Sequence, residues 1–433
     1  MRAAVPAALT AIATFLLCVL APLRELSGDS TPGRLGGTVL RCAGDFDLAH
    51  IDWIRAETDQ DRVFYYMQRD QAGAHSSVFG PAPAVLVAIA LLDFGEGDTI
   101  ADTTLRTRER IAAALLLALA TALLVIAARA RRSGRDAVIA GAACALSFAG
   151  AASLGQGMWQ ATTALPALTG ALATLAWRDR HPRLAIATPA LLLLAVMLRP
   201  TIAPLALGLG ITWALEVRDK RTWIIAASAA LLVVSPLIVW NAIHLWSPLP
   251  IGQWKANARD TEHVFTVTGA ATGIAGLLVS PARGLVWFAP LAVAGIVIAL
   301  RNRAYRAIAI GLLVQLVAMA AFFKWHGGQA FGPRLLAEAT WVAIWLALGT
   351  ELALRRAIAI PAGAITVAIG LIGLLRFSPA QWEMRRRPEA HPSGFWAIAD
   401  SPIPAALTAA DVPDAFTAAP ALSCERGELR STR

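Results

Sequence analysis

The chain has 433 residues, 57% of them apolar and 15% charged, with a formal net charge of +9. A soluble domain carries roughly a quarter charged residues, so this composition excludes an ordinary globular protein and describes a polytopic membrane protein. Most of the excess positive charge sits in short connections between apolar runs, which excludes nucleic acid as the reason for it.

Apolar runs fall near residues 3–22, 111–130, 137–155, 162–177, 184–198, 201–216, 222–241, 285–300, 307–323, 335–352 and 357–375. Each is close to the ~20 residues that cross a hydrocarbon core of ~30 Å. The fold class predicted is an all-α integral membrane protein of about eleven transmembrane helices. Arg2 and the small residues Ser27 and Gly28 also fit a signal peptide around the first run. That run is Leu-rich and longer than an h-region of ~7–15 residues, which favours a span.

With Met1 cytoplasmic, Arg2 and the connections 129–136, 178–183, 216–221, 301–306 and 355–356 carry 16 Lys and Arg against four acidic residues. This is the positive-inside pattern, and it predicts a cytoplasmic N-terminus. The segment "PAPAVLVAIALLDF" (81–94) is apolar but short, and a crossing there would invert every later connection. It reads as a helix lying in or dipping into the outer interface. The external face then holds a loop from about 23 to 110, a loop 242–284, a hairpin 324–334 and a tail 376–433. The division predicted is a membrane domain 1–375 and an external tail 376–433, the tail too short for its own core and expected as an extended cap.

Cys18 and Cys144 fall inside spans, whereas Cys42 and Cys424 fall outside. If the outer side is oxidising, the last two would pair and tie the tail to the first loop. The chain has no phosphate loop, no Cys or His cluster at zinc spacing, no nucleophile elbow and no repeat of 20 to 50 residues. What it does have are polar groups at helix ends on the outer face: Arg199, Arg283, the turn with Lys324, His326 and Arg334, and the pair Trp159 and Gln160. A lone Trp or Arg at such a place is ordinarily an interfacial anchor. Gathered on one face they suit a phosphate, and an acid among them suits a base. Asp45 and Asp47, in "GDFD", have a spacing that admits a divalent metal, against the plainer reading of a solvated loop leading to a helix near Asp52. A lipid or solute transporter or flippase would also be polytopic, but it usually shows half-repeats and broken helices near the midplane.

The stretches "SGDSTPGRL", "GDFDLAHIDW", "SVFGPAPAVLVAIALLDFG", "WQATTALPAL", "LRPT", "SPARGLVWFAPL" and "WHGGQAFGPRLL" together resemble polytopic bacterial glycosyltransferases of the GT-C superfamily. That group includes the protein mannosyltransferases and the aminoarabinose transferases. The resemblance runs in order from residue 1 to about 400. It implies a GT-C-like bundle with an interfacial helix in the first external loop, and makes 1–375 a transmembrane catalytic domain. It implies an inner (cell) membrane location and transfer of a sugar, hexose or pentose, from a polyprenyl-phosphate donor to a lipid, glycan or protein acceptor on the extracytoplasmic side.

By the same resemblance, an acid just after the first span is the general base, and Asp29 holds that position, with Asp45 and Asp47 as the other candidate acids. A direct displacement with that base inverts the anomeric carbon. The leaving phosphate needs fixed cations, a task that falls to Arg283, Lys324 and Arg334 with His326 beside them, then Arg199, and Arg34 near the acid. Trp159, Gln160 and Gln329 complete the candidate site. Ala161 stands where many relatives carry His, and Ser30 follows Asp29 where mannosyltransferases commonly carry a second acid, so a divalent metal inherited from that pairing stays open.

Overall fold

Residues 4–23, 28–60, 64–260, 263–328, 330–352, 354–378, 382, 391–408 and 420–432 are described by the computed structural model. Helix α1 (Ala4–Leu20) leads through a 3-10 turn (Gly28–Ser30) into α2 (Thr31–Cys42). The long loop continues with α3 (Asp52–Thr58), an antiparallel hairpin of β1 (Met67–Arg69) and β2 (His75–Ser77), α4 (Ala82–Ala90) and β3 (Thr99–Ile100). Then come α5 (Asp102–Arg129), α6 (Gly134–Ala145), α7 (Gln160–Trp177), α8 (Ala187–Leu198), α9 (Ala203–Glu216) and α10 (Lys220–His244). They are followed by α11 (Gly252–Asp260), α12 (Val267–Val279), α13 (Leu285–Phe288), α14 (Pro290–Arg301), α15 (Arg306–Ala321), α16 (Ala337–Leu348) and α17 (Arg356–Arg376). The tail adds α18 (Pro402–Thr408), β4 (Ala421–Glu425) and β5 (Glu428–Thr432).

Each apolar run carries a helix, and the chain is an all-α integral membrane protein. Helices α5, α10 and α17 are long and apolar enough to cross a membrane unaided, and α1, α8, α12, α14 and α15 are shorter apolar helices. Helix α16 is buried over nearly its whole length, from Ala337 to Ala347. A helix apolar on every side has no solvent face to offer, so it sits at the centre of the bundle, against α14 and α6.

The basic connections gather at one end. Arg131 pairs with Asp179 at 2.8 Å, Arg178 with Glu216 at 2.5 Å, and the Tyr305 hydroxyl donates to Glu351 at 2.7 Å. The first two contacts join three connections and the third joins two more, all far apart in sequence. The other end carries the long loop and the helix termini around Asp29, Trp159, Arg199 and Arg334, and is called the loop end below.

Helix α2, helix α12 and the tail differ from expectation, while α4 is the short helix that was expected. Helix α2 was not foreseen, because "TPGRLGGTVLRC" has three glycines and a proline and makes a poor isolated helix. Packing supplies what propensity lacks. A Cβ placed on Gly37 would lie 2.6 Å from the Val87 Cβ, so only glycine lets α4 lie directly on α2. With nine residues α4 is about 14 Å long, less than half of a hydrocarbon core, and it does not cross. Helix α12 lies within the segment read as a loop, 242–284; its 13 residues are about 20 Å long, too short to register as a span.

The tail is also more regular than an extended cap. Strands β4 and β5 form a hairpin that adds to β3, with Thr99 opposite Ser423 and Ile100 opposite Leu422. Its two-residue turn has Arg426 at φ 53° and Gly427 at φ 75°, the positive values that a tight hairpin of matching twist requires. Cys42, at the end of α2, is disulfide-bonded to Cys424 in β4, with a Cα separation of 5.7 Å. Arg55 of α3 meets Glu428 of β5 at 2.7 Å, so the end of the tail is sewn to the first loop.

Candidate active site

Asp29 sits in the 3-10 turn between α1 and α2, and each of its carboxylate oxygens has a partner. Arg334 Nη2 lies 2.7 Å from Oδ2, and the Tyr65 hydroxyl donates to Oδ1 at 2.9 Å. The Arg334 guanidinium lies over the Trp159 ring, 4.6 Å from its centroid. Trp159 precedes the first turn of α7, and its indole N–H is buried without a hydrogen-bond partner among the described residues. Four segments therefore converge: the turn after α1, the segment before β1, the start of α7 and the turn before α16. The side chain of Asp29 keeps 27% of its surface exposed, so a ligand can reach it from the loop end.

Arg334 owes its direction to the turn that precedes it. Gly327, Gly328 and Gly332 have φ values of 73°, 64° and 75°, a region other residues avoid. At Gly332 space is a second reason, since a Cβ there would come within 2.7 Å of Phe288. Arg283 closes the turn from behind. It is fully buried and donates to the carbonyl oxygens of His326 (2.7 Å), Ala282 (2.8 Å) and Gly328 (2.8 Å), while its face packs on Trp382 and Phe395. A guanidinium engaged in this way shapes the turn, and direct contact with a phosphate is not the role its geometry suits. Lys324 is exposed on the same turn, its Nζ 5.7 Å from the Phe323 ring.

His326 packs on Phe395, and its Nδ1 accepts the Gly328 N–H at 3.2 Å. Burial, reinforced by the positive charges of Arg283, Lys324 and Arg334, pushes its pKa down from 6.5 to about 3. It is neutral near pH 7 and brings no charge to a phosphate. Between these two values the unfolded chain binds a proton that the folded chain refuses, so stability falls as pH drops below 6.5 and is unaffected by this group above it. Lowering the pH to about 4.5 should destabilise the protein by about 3 kcal/mol through this residue. Thermal unfolding of the detergent-solubilised chain should show that slope, and His326→Gln should flatten it.

The other predicted residues are placed apart from Asp29 or spent on structure. Arg34 Nη1 meets Glu109 at 3.3 Å, and Glu109 also accepts the Met158 N–H at 2.9 Å, which ties α2 to α5 and to the segment bearing Trp159. Arg199, at the end of α8, forms a buried ion pair with Glu338, in the first turn of α16. Gln160 donates to the Phe79 carbonyl at 3.2 Å and fixes the approach to α4. Asp45 meets His50 at 3.0 Å and accepts the Asp47 N–H, while Asp47 accepts the N–H groups of Ala49 and His75, both at 2.9 Å. These bonds are those of a structured turn. Gln329 lies outside the described residues.

Among the described residues, one group of three metal-ligating side chains converges, Cys42, Glu96 and Cys424. The two sulfurs are bonded to each other, and a disulfide has no thiolate to offer a cation. At Asp29 a guanidinium occupies the place a cation would take. Neither donor set fits a divalent metal.

Sequence reasoning missed Tyr65, Glu109 and Glu338. Glu338 carried a signal, being an acid inside a predicted span, and Glu109 lies just before one. Tyr65 stands in a run of three aromatic residues, Phe64 to Tyr66, with nothing to mark which of them reaches the acid.

No protein-family model matches the sequence, and no curated protein matches it. The fold is similar to the crystal structure of ArnT from Cupriavidus metallidurans bound to undecaprenyl phosphate, at 16% identity, covering 94% of this chain and 66% of that one, with a TM-score of 0.48. It is similar also to the Archaeoglobus fulgidus oligosaccharyltransferase (15% identity, 89% and 57% of the chains, TM-score 0.48) and to the arabinofuranosyltransferase AftD from Mycobacteria (17%, 90% and 29%, TM-score 0.42). These are GT-C glycosyltransferases, the class that the motifs resemble. The chain spans about two thirds or less of the length of each.

Proposed function

We propose that this protein is a membrane glycosyltransferase that moves a sugar from a polyprenyl-phosphate donor to a hydroxyl acceptor at the loop end of the bundle. The observation that carries this reading is the convergence of Asp29, Tyr65, Arg334 and Trp159 at one point. A carboxylate beside a stacked guanidinium supplies the two groups that the chemistry needs, a base and a cation for the leaving phosphate.

The acceptor oxygen attacks the anomeric carbon as its proton passes to Asp29, and the bond between that carbon and the phosphate oxygen breaks. The electron pair leaves with the phosphate, whose charge is met by Arg334 and, from the exposed side of the same turn, by Lys324. One displacement inverts the anomeric configuration and needs no covalent intermediate. Arg283 and the Arg199–Glu338 pair act indirectly, by holding the turn and helix that aim Arg334. An N-terminus in the cytoplasm would put this end on the extracytoplasmic side, where lipid, glycan and protein acceptors of the cell envelope are found.

The test is a panel of radiolabelled polyprenyl-phosphate sugars presented to the purified chain in proteoliposomes. Transfer from one donor, with inversion at the anomeric carbon, is the expected result. Retention of configuration would remove the single displacement, and silence across the panel would remove the donor class.

A further inference from the structure

Two roles given to this site conflict in the arrangement the structure holds. Arg334 is to receive a phosphate, yet its Nη2 is 2.7 Å from an Asp29 oxygen. Asp29 is to receive a proton, yet one of its oxygens faces that guanidinium and the other accepts the Tyr65 hydroxyl at 2.9 Å. A phosphate brought to Arg334 meets a carboxylate of its own sign within a few ångströms, and the two anions compete for one cation. The competition takes place in a confined setting, because Arg334 is buried and stacked over Trp159.

Resting on the glycosyl-transfer reading, we propose that the Asp29–Arg334 pair is a lock opened by the donor: the lipid phosphate takes Arg334, and Asp29, still oriented by Tyr65 through Oδ1, loses the guanidinium from Oδ2 and becomes the stronger base. No proton moves in this exchange; one anion replaces another at the guanidinium. The base becomes competent only when the donor is in place, so the donor precedes the acceptor. Tyr65 is a positioning residue here. It holds Asp29 through the exchange and does not touch the phosphate.

The lock has a consequence that a purely catalytic Asp29 would not have. A ligand whose site is available only part of the time binds more weakly in proportion, so Asp29 weakens donor binding while it enables transfer. Asp29→Asn should bind undecaprenyl phosphate about tenfold more tightly than the native chain, the gain expected from releasing one partly buried ion pair. Asp29→Glu, which keeps the competing charge, should stay within about twofold of native. Adding Arg334→Gln to Asp29→Asn should abolish the gain. Tyr65→Phe should leave that affinity within about twofold and lower kcat about tenfold, a split that general loss of structure would not produce.

The experiment is titration of the full chain in nanodiscs with undecaprenyl phosphate, with thermal unfolding run on each variant and Asp29→Ala as a second neutral variant. Tighter binding by either folded neutral variant supports the lock. Native-like or weaker binding by both overturns it and leaves the glycosyl-transfer reading standing. No binding in any arm, the native chain included, overturns the donor class and the lock together.

Discussion

Arg334→Gln should lower sugar transfer by about two to three orders of magnitude, the loss seen when a preorganised group facing developing charge is removed. In the donor the phosphodiester carries one negative charge; as the bond to the anomeric carbon breaks, the bridging oxygen stays with the phosphate and a second negative charge develops there. A fixed cation therefore contributes more to the transition state than to the bound donor, and kcat should fall more than KM rises. Arg334→Lys keeps the charge but loses the planar stack on Trp159 and the fork that a phosphate matches. It should recover part of the activity. Initial rates across a donor titration separate the two parameters, and an Arg334→Gln variant with native kcat would remove Arg334 from the reaction.

Arg199→Met should destabilise the protein by about 3–5 kcal/mol, because it leaves the fully buried Glu338 carboxylate without its partner. The pair is conditional on both members. Replacing Glu338 with Leu as well should return stability close to native, since an apolar pair of similar volume avoids the desolvation of two charges. The thermal midpoint of the single variant, the double variant and the native chain in one detergent checks the prediction; a single variant within about 1 kcal/mol of native would contradict it. Glu338 lies one helical turn beyond Arg334, so the single variant should also lose activity through the aim of that guanidinium.

In an apolar chain, a polar or ionisable group at a helix end stands out, and this marked Arg334 and Trp159 as candidates, while Asp29 was marked by the family resemblance. What the sequence does not carry is the partner. Arg34, Arg199, Arg283 and Arg334 look alike in one dimension, and their roles diverge because Glu109, Glu338, a set of backbone carbonyls and Asp29 respectively reach them in three. The apolar helices were legible from length and hydropathy alone, although three of them, α5, α10 and α17, have the length of a full span. Helix α2 was not, since its glycines oppose helix formation and make sense only once α4 is packed on them. The hairpin of the tail had a local signal, an Arg-Gly turn between alternating residues, but its partner β3 is more than three hundred residues away. Tyr65 depended wholly on tertiary placement.

The measurement that bears most directly on the central claim is the single-turnover rate of sugar transfer in proteoliposomes for the native chain, Asp29→Asn and Asp45→Asn, each shown to be folded. With Asp29 as the base, Asp29→Asn should lose about 10²–10⁴-fold, the range of general-base catalysis, while Asp45→Asn stays within a few-fold of native. Transfer that survives Asp29→Asn and disappears in Asp45→Asn would contradict the assignment and move the base to the turn at Asp45 and Asp47.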